Sequence, residues 1–299
     1  MDGVPKIVVT YTTLPDRYDT LHRSINSILG QTRRADVIYL TIPKVCRRLN
    51  KVYTKLPKEI TDSCTVVESD IDYGPITKIY GALVSESDPE TIIISCDDDT
   101  IYDPVFIESL VKHADKYRDI AICGTGALIS KGVYLTAIRT TLKNFTWVNR
   151  IVGLDVDQHS GRNVDLIFGV AGVLYRRKFF PEREELENEL FDISLKDDAL
   201  FHNDDVVISG YLSKQGIVRK VFHDIPPIVG DSSPNDALSG NIPVMLSRMQ
   251  LAIDRAKTYG LYPQMEPLSV SETVPGRVLF LAFLLIAICF LVAALYITL

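Results

Sequence analysis

The chain has 299 residues, which is enough for one large α/β domain or two small ones with an ample core. Its formal net charge of −6 argues against a nucleic-acid surface, because such a surface needs clustered lysine and arginine. The 5 cysteines include no C-x-x-C pair, so the sequence predicts no zinc site. Cysteines within apolar, strand-like stretches favour a reducing compartment.

Strands and helices alternate through the first 123 residues. Apolar runs predict strands at 6–12, 36–42, 64–68, 91–96 and 120–123. Apolar residues at helical spacing predict helices at 16–29, 76–84 and 103–117. This alternation predicts a doubly wound α/β fold with a mostly parallel central sheet.

The regular alternation then ends, and residues 130–165 are predicted to form a loop-rich insertion. The later predicted elements are a strand at 166–175 interrupted by two glycines, a helix from Asp204 to Gly216, a strand at 217–222 and a helix at 243–258. We therefore expect a single domain over residues 1–262.

The end of the chain has a different composition. Residues 278–299 carry no charge and would extend about 33 Å as a helix, enough for a bilayer core of about 30 Å. A buried core helix is the alternative, which an uncharged run without a polar stripe disfavours. We expect a single-pass tail anchor at 278–299, joined by a proline-containing linker at 263–277 to a domain that faces the cytosol.

Three consecutive aspartates, Asp97, Asp98 and Asp99, follow the predicted strand at 91–96. Ligands of open α/β sheets bind just beyond the carboxyl ends of such strands. On an extended backbone, Asp97 and Asp99 would point to one face and Asp98 to the other. Repulsion among the carboxylates could be offset by a divalent cation, although a solvated acidic turn would have the same sequence.

Three further features could carry chemistry. Asp204 and Asp205 begin a predicted helix, where they complement the helix dipole or supply a general base. His223 follows a predicted strand, either as a polar strand end or as a metal ligand beside carboxylates. Gly169 and Gly172 either mark a bulge or let the backbone approach a ligand closely.

Taken in chain order, these features resemble the GT-A glycosyltransferases, in particular their family 2-like branch. The resemblance covers roughly residues 5–225. Its elements are the strand with Thr-Tyr-Thr at 10–12, the segment Asp-Tyr-Gly-Pro-Ile-Thr-Lys at 72–78, the D-x-D at 97–99, the two glycines followed by Arg176 and Arg177, the acidic pair and the late histidine. It implies a GT-A fold, the Rossmann-like architecture of nucleotide-diphospho-sugar transferases.

The resemblance also implies a role for each matching residue. The donor-binding residues would be Thr10, Thr12, Asp72, Gly74, Lys78, Asp97, Asp98, Gly169 and Gly172. Asp99, Asp97 and His223 would bind Mn²⁺ or Mg²⁺, which bridges the two donor phosphates. Asp205 would be the catalytic base, with Asp204 beside it.

The expected activity is transfer of a sugar from a nucleotide sugar to an acceptor hydroxyl with inversion, and a uridine nucleotide is the family's commonest donor. The acceptor would be a glycan, a lipid-linked molecule or a protein, with the segment 130–165 on the acceptor side or forming an ordinary insertion. Two alternatives stay open. A nucleotidyltransferase is disfavoured because no glycine follows the first strand. A catalytically inactive tail-anchored adaptor would show no metal-dependent nucleotide binding.

Overall fold

Eight strands form the central sheet in the computed structural model, which describes residues 4–129, 161–231 and 242–263. The described strands are β1 (Ile7–Thr12), β2 (Val37–Pro43), β3 (Val45–Cys46), β4 (Lys51–Val52), β5 (Thr65–Ser69), β6 (Ile92–Ser95), β7 (Thr100–Ile101), β8 (Ile120–Cys123), β9 (Gly126–Ala127), β10 (Arg162–Asn163), β11 (Leu166–Ile167), β12 (Val173–Arg176), β13 (Val218–Val221) and β14 (Gly230–Asp231).

Helices lie between several of these strands along the chain. The described helices are α1 (Tyr18–Leu29), α2 (Lys58–Thr61), α3 (Thr77–Ser85), α4 (Phe106–Lys116), α5 (Asp192–Leu195), α6 (Asp198–Phe201), α7 (Asp204–Lys214) and α8 (Ile242–Thr258). Short 3₁₀ turns occur at Gly74–Ile76, Gly169–Ala171 and Arg177–Phe179, and a π-helical turn occurs at Glu187–Phe191.

The strand order across the sheet is β10-β13-β8-β12-β6-β1-β2-β5. The four strands from β6 to β5 are parallel to one another, and β8 is parallel to β13. The strand β12 is antiparallel to both of its neighbours, and β10 is antiparallel to β13. The predicted α/β class with a mostly parallel, Rossmann-like sheet is therefore confirmed.

The alternation of side chains along β1 explains how helices cover both faces of the sheet. Ile7, Val9 and Tyr11 belong to one buried cluster with apolar residues of α1 and α4. Thr10 points to the opposite face, where its hydroxyl donates to the carbonyl of Lys78 on α3. Because both faces are covered, the central strands read as continuous apolar runs.

The strand predicted at 166–175 is two strands, β11 and β12, which belong to different sheets. The 3₁₀ turn at Gly169–Ala171 separates them, and Gly172 follows it with φ of +68°. This left-handed conformation favours glycine, because it brings a Cβ too close to the following carbonyl oxygen. A Cβ at Gly172 would also lie 2.3 Å from the ring of Phe106. The second glycine therefore reverses the chain into an antiparallel strand.

The chain order reverses between β1 and β6. From β1 the chain passes through β2 to β5 on one side, and then returns to β6 on the other side. In open α/β sheets, ligands bind at this kind of switch point, outside the carboxyl ends of the strands. The carboxyl ends here are Thr12 and Ser95, so the three aspartates after β6 lie at that edge.

Contacts divide the chain into one unit at Met1–Pro263 and another at Gln264–Leu299. The predicted linker and the predicted membrane span at 278–299 lie outside the described residues, except for Pro263. Within the described ranges, no helix is long and apolar enough to cross a bilayer.

Candidate active site

The ammonium group of Lys78 lies at the centre of a charged cluster at the switch point. Its Nζ is 2.5 Å from Asp97 Oδ1 and 2.9 Å from Asp204 Oδ2. Lys78 is carried by α3, Asp97 by the turn after β6, and Asp204 by the first turn of α7. The side chain of Lys78 is only 7% exposed. The fold therefore brings together three residues from three separate elements of the chain.

Asp205 and Gly169 form the second part of the cluster. The backbone N–H of Gly169 donates to Asp205 Oδ1 at 2.9 Å. A Cβ at Gly169 would lie 3.1 Å from Lys78 Nζ and 3.2 Å from Asp205 Oδ1. A Cβ there would require both charged groups to shift, so glycine lets the backbone approach them this closely.

The charges of the cluster shift one another's pKa. Burial alone would lower the pKa of Lys78, but Asp204, Asp97 and Asp205 together hold it well above its ordinary value. Burial and the neighbouring Asp204 raise the pKa of Asp205 well above that of an exposed aspartate, against the opposing effect of Lys78. Lys78 is thus held as a cation, and the carboxyl group of Asp205 binds a proton more tightly than that of an exposed aspartate.

Asp98 and Asp99 contact a different cation, Arg17, which comes just before α1. Arg17 Nη1 lies 3.3 Å from Asp98 Oδ1 and 3.2 Å from Asp99 Oδ2, and the hydroxyl of Thr13 donates to Asp98 Oδ2 at 2.6 Å. The predicted alternation of Asp97 and Asp99 against Asp98 is therefore wrong. The strand ends at Ser95 and residues 98 and 99 lie in a turn, so the extended geometry does not continue.

Burial raises the pKa of Asp98 from its usual 3.8 to about 6, although Thr13 and Arg17 lower it. The folded state therefore binds a proton more tightly than the unfolded state does. The contribution of Asp98 to stability is largest below pH 4 and falls by about 3 kcal/mol as the pH rises through about 6.

We expect Asp98→Asn to remove this pH dependence. In metal-free buffer, the unfolding free energy of the variant minus that of wild type should increase by about 3 kcal/mol between pH 4 and pH 7. Urea denaturation at several pH values measures this difference. Asp115→Asn, on the exposed side of α4, controls for the loss of one carboxylate. A difference for Asp98→Asn that does not change with pH would contradict the prediction.

Thr10 and Thr12, two of the predicted donor-binding residues, both donate hydrogen bonds to backbone carbonyls. Thr10 is fully buried, and its hydroxyl donates to the carbonyl of Lys78 at 2.5 Å. Thr12 is half-buried and donates to the carbonyl of Thr41 at 2.9 Å. Thr10 therefore positions the backbone of Lys78, which places it next to the cluster in an indirect role.

Asp72 and Gly74 shape the turn that leads to Lys78. Asp72 accepts the backbone N–H of Gly74 at 2.8 Å through Oδ1 and that of Arg47 at 2.7 Å through Oδ2. Gly74 has φ of +78°, and a Cβ there would lie 2.2 Å from the carbonyl oxygen of Phe201. The turn before α3 therefore packs directly against the end of α6.

We expect Gly74→Ala to destabilise the fold by about 3 kcal/mol, because left-handed strain adds to overlap with a backbone atom. Gly216→Ala is the matched control. Gly216 has a similar φ of +71°, but a Cβ there would meet nothing within 4 Å. Its substitution should cost about 1 kcal/mol from strain alone. Urea denaturation compares the two variants, and equal losses would contradict the assigned contact.

The two arginines that follow the glycines serve the framework. Arg176 is buried and donates to the carbonyls of Glu90 and Ala114, each at 3.0 Å. Arg177 is buried as well and donates to the carbonyl of Glu86 at 2.9 Å. Both guanidinium groups therefore bind backbone carbonyls of α4 and of the loop before β6, and none of these contacts involves a residue of the cluster.

His223 is exposed and follows β13. Among the described residues, no three histidine, cysteine, aspartate or glutamate side chains converge closely enough to hold a metal ion. His223 is therefore not brought together with Asp97 and Asp99. The segment after His223 runs back to the strand that follows the three aspartates, because β14 pairs with β7 and places Asp231 opposite Thr100.

The carboxylates of Asp97 and Asp99 are oxygen donors of the kind that divalent cations prefer. Mg²⁺ is usually bound by one or two carboxylates together with substrate phosphates, so a three-residue protein cage is not required. The cluster also brings five carboxylates against two cations. The carboxylates are Asp97, Asp98, Asp99, Asp204 and Asp205, and the cations are Lys78 and Arg17.

Two clefts of about 790 and 740 Å³ lie elsewhere. The larger is at the amino end of the sheet, where Pro5, Ile92 and Lys112 contribute to its lining. The smaller lies beside the edge strand β5 and is lined in part by Tyr53. Neither is lined by a residue of the cluster, so the cluster is identified by its chemistry and its position in the fold.

The fold and the cluster define the chain as an α/β protein whose Rossmann-like sheet carries an acidic site at its switch point. A scan against protein-family models and a search of curated proteins gave no match.

Proposed function

We propose that the chain is a metal-dependent GT-A-type glycosyltransferase, which transfers a sugar from a nucleotide sugar, most simply a uridine diphosphate sugar, to an acceptor hydroxyl with inversion. One observation carries this proposal. Lys78, Asp97, Asp204 and Asp205 meet at the carboxyl edge of a parallel sheet, at the switch point where such sheets bind ligands.

Lys78 is the residue suited to the diphosphate of the donor. Nucleoside diphosphate develops negative charge as the glycosidic bond breaks, and a buried ammonium stabilises that charge more strongly than an exposed one. The ion pairs with Asp97 and Asp204 fix the ammonium in place before the donor arrives. Asp97 and Asp99 would hold Mn²⁺ or Mg²⁺, which supplies further charge neutralisation when bound.

Asp205 is the residue suited to act as general base. Its raised pKa makes it a better proton acceptor near neutral pH than an ordinary aspartate. The N–H of Gly169 fixes one of its oxygens. Asp205 would take the proton of the acceptor hydroxyl as that oxygen attacks the anomeric carbon from the side opposite the leaving diphosphate. One such displacement inverts the configuration.

The acceptor and the site of action belong to the same proposal. Glycan, lipid-linked and protein acceptors all supply the required hydroxyl, and the apolar segment 278–299 would hold the enzyme at a membrane. Most of the candidate acceptor-side segment, residues 130–160, lies outside the described residues.

A thermal-shift panel tests the proposal with the full chain in detergent. Nucleoside diphosphates and nucleotide sugars are added one at a time, with and without Mn²⁺, to wild type, Asp99→Asn and the control Asp115→Asn. A donor that binds only the folded state raises the melting temperature by mass action. We expect a metal-dependent shift with one nucleotide, lost in Asp99→Asn and kept in the control. No shift with any nucleotide would favour the inactive adaptor, and shifts with nucleoside triphosphates alone would favour a nucleotidyltransferase.

A further inference from the structure

Arg17 is a largely buried cation of the site, and the sequence patterns did not identify it. Its side chain is only 10% exposed, and one nitrogen, Nη1, lies within 3.3 Å of both Asp98 and Asp99. Its backbone is fixed as well, since its N–H donates to the carbonyl of Leu14 at 3.0 Å and its carbonyl accepts the N–H of Leu21 at 2.9 Å. The guanidinium is therefore held against Asp99 by the start of α1.

This position puts a fixed cation beside a carboxylate suited to a divalent metal. A metal ion that binds Asp99 must displace the contact with Arg17 or tolerate a positive charge about 5 Å away. Both effects weaken binding of the metal alone. A nucleoside diphosphate reverses the balance, because its negative charge is attracted by the metal and by Arg17 together.

We propose that Arg17 is a positioning residue that competes with the divalent metal for Asp99 and thereby makes metal binding depend on the donor diphosphate. The proposal rests on the function proposed above. It means that the site binds metal weakly by itself and tightly with nucleotide, and that the two ligands increase each other's affinity by the same factor.

Two titrations of the full chain test the proposal. Mn²⁺ alone is titrated and followed by the electron paramagnetic resonance of the free ion, and uridine diphosphate is then titrated at saturating Mn²⁺ by calorimetry. The variants are Arg17→Gln, the charge-retaining Arg17→Lys, and Arg23→Gln, which removes an exposed arginine from the same helix.

In Arg17→Gln we expect the affinity for Mn²⁺ alone to rise by on the order of tenfold and the affinity for the nucleotide to fall by a similar factor. Arg17→Lys should keep the weak Mn²⁺ binding of wild type, and Arg23→Gln should change neither affinity. Opposite changes in the affinities for Mn²⁺ and for the nucleotide distinguish this role from a structural one, because a damaged site would bind both ligands less tightly.

Unchanged or weaker Mn²⁺ binding in a folded Arg17→Gln variant would overturn the proposal, as would the absence of Mn²⁺ binding in both proteins. Tighter Mn²⁺ binding in the variant without nucleotide binding in any protein would support the competition at Asp99. That last outcome would count against the glycosyltransferase function instead. Failure of the competition at Asp99 and failure of the proposed function therefore give different results.

Discussion

Lys78→Met is expected to destabilise the protein by about 3 kcal/mol, because it leaves Asp97 and Asp204 partly buried without their counter-charge. Methionine keeps the length and the apolar stem of lysine but not its charge. We expect the lower end of the usual range for broken buried ion pairs, since the side chain of Asp97 remains 26% exposed. Urea denaturation at neutral pH measures the loss.

The exposed pair of Lys58 and Asp62 supplies the matched control, because their side chains are 81% and 60% exposed. Lys58→Met should change stability by about 0.5 kcal/mol or less. The double variant Lys78→Met/Asp204→Asn should recover part of the loss, since it removes both partners of one pair. If Lys78→Met cost no more than Lys58→Met, the ion-paired cluster would be refuted.

Asp205→Asn is expected to lower the rate of sugar transfer by about 10²–10⁴-fold, because it removes the proton acceptor and keeps the shape of the side chain. Nucleotide affinity should stay within a few fold of wild type. Steady-state kinetics with the donor identified by thermal shift, together with calorimetry of the nucleotide, separates the two effects.

Asp204→Asn provides the contrast, since Asp204 contacts Lys78 and is expected to affect nucleotide binding more than the proton transfer. The pH profile of wild type gives a second readout. Asp205 acts as a base only when deprotonated, so activity should fall as the pH drops through its raised pKa, above the range of an ordinary aspartate. A transfer rate that Asp205→Asn leaves unchanged would exclude Asp205 as the base.

The spacing of apolar residues was sufficient to predict the regular strands and helices of the sheet. Ile92, Ile93 and Ile94 are completely buried, as a continuous apolar run in a central parallel strand should be. Helical spacing placed α1 and α4 correctly to within a few residues. Because the carboxyl ends of parallel strands share one edge, the sequence also placed the three aspartates after β6 at the edge where such sheets bind ligands.

The parts that were missed depend on turns and on long-range pairing. The contact of Arg17 with Asp98 and Asp99 joins two turns, and no periodic pattern specifies how either turn folds. The pairing of β14 with β7 joins two-residue strands, which are too short to show alternation. The only sequence signal for Arg17 was its place in the loop after the first strand, at the switch point.

The position of a bound nucleotide distinguishes the charged cluster from the two clefts as the active site. A crystal structure of the protein with Mn²⁺ and the nucleoside diphosphate that gives the largest thermal shift would provide it. We expect the diphosphate to contact Lys78 Nζ and the metal to bind the carboxylates of Asp97 and Asp99. A nucleotide bound instead in the cleft at the amino end of the sheet, or in the cleft beside β5, would contradict this expectation.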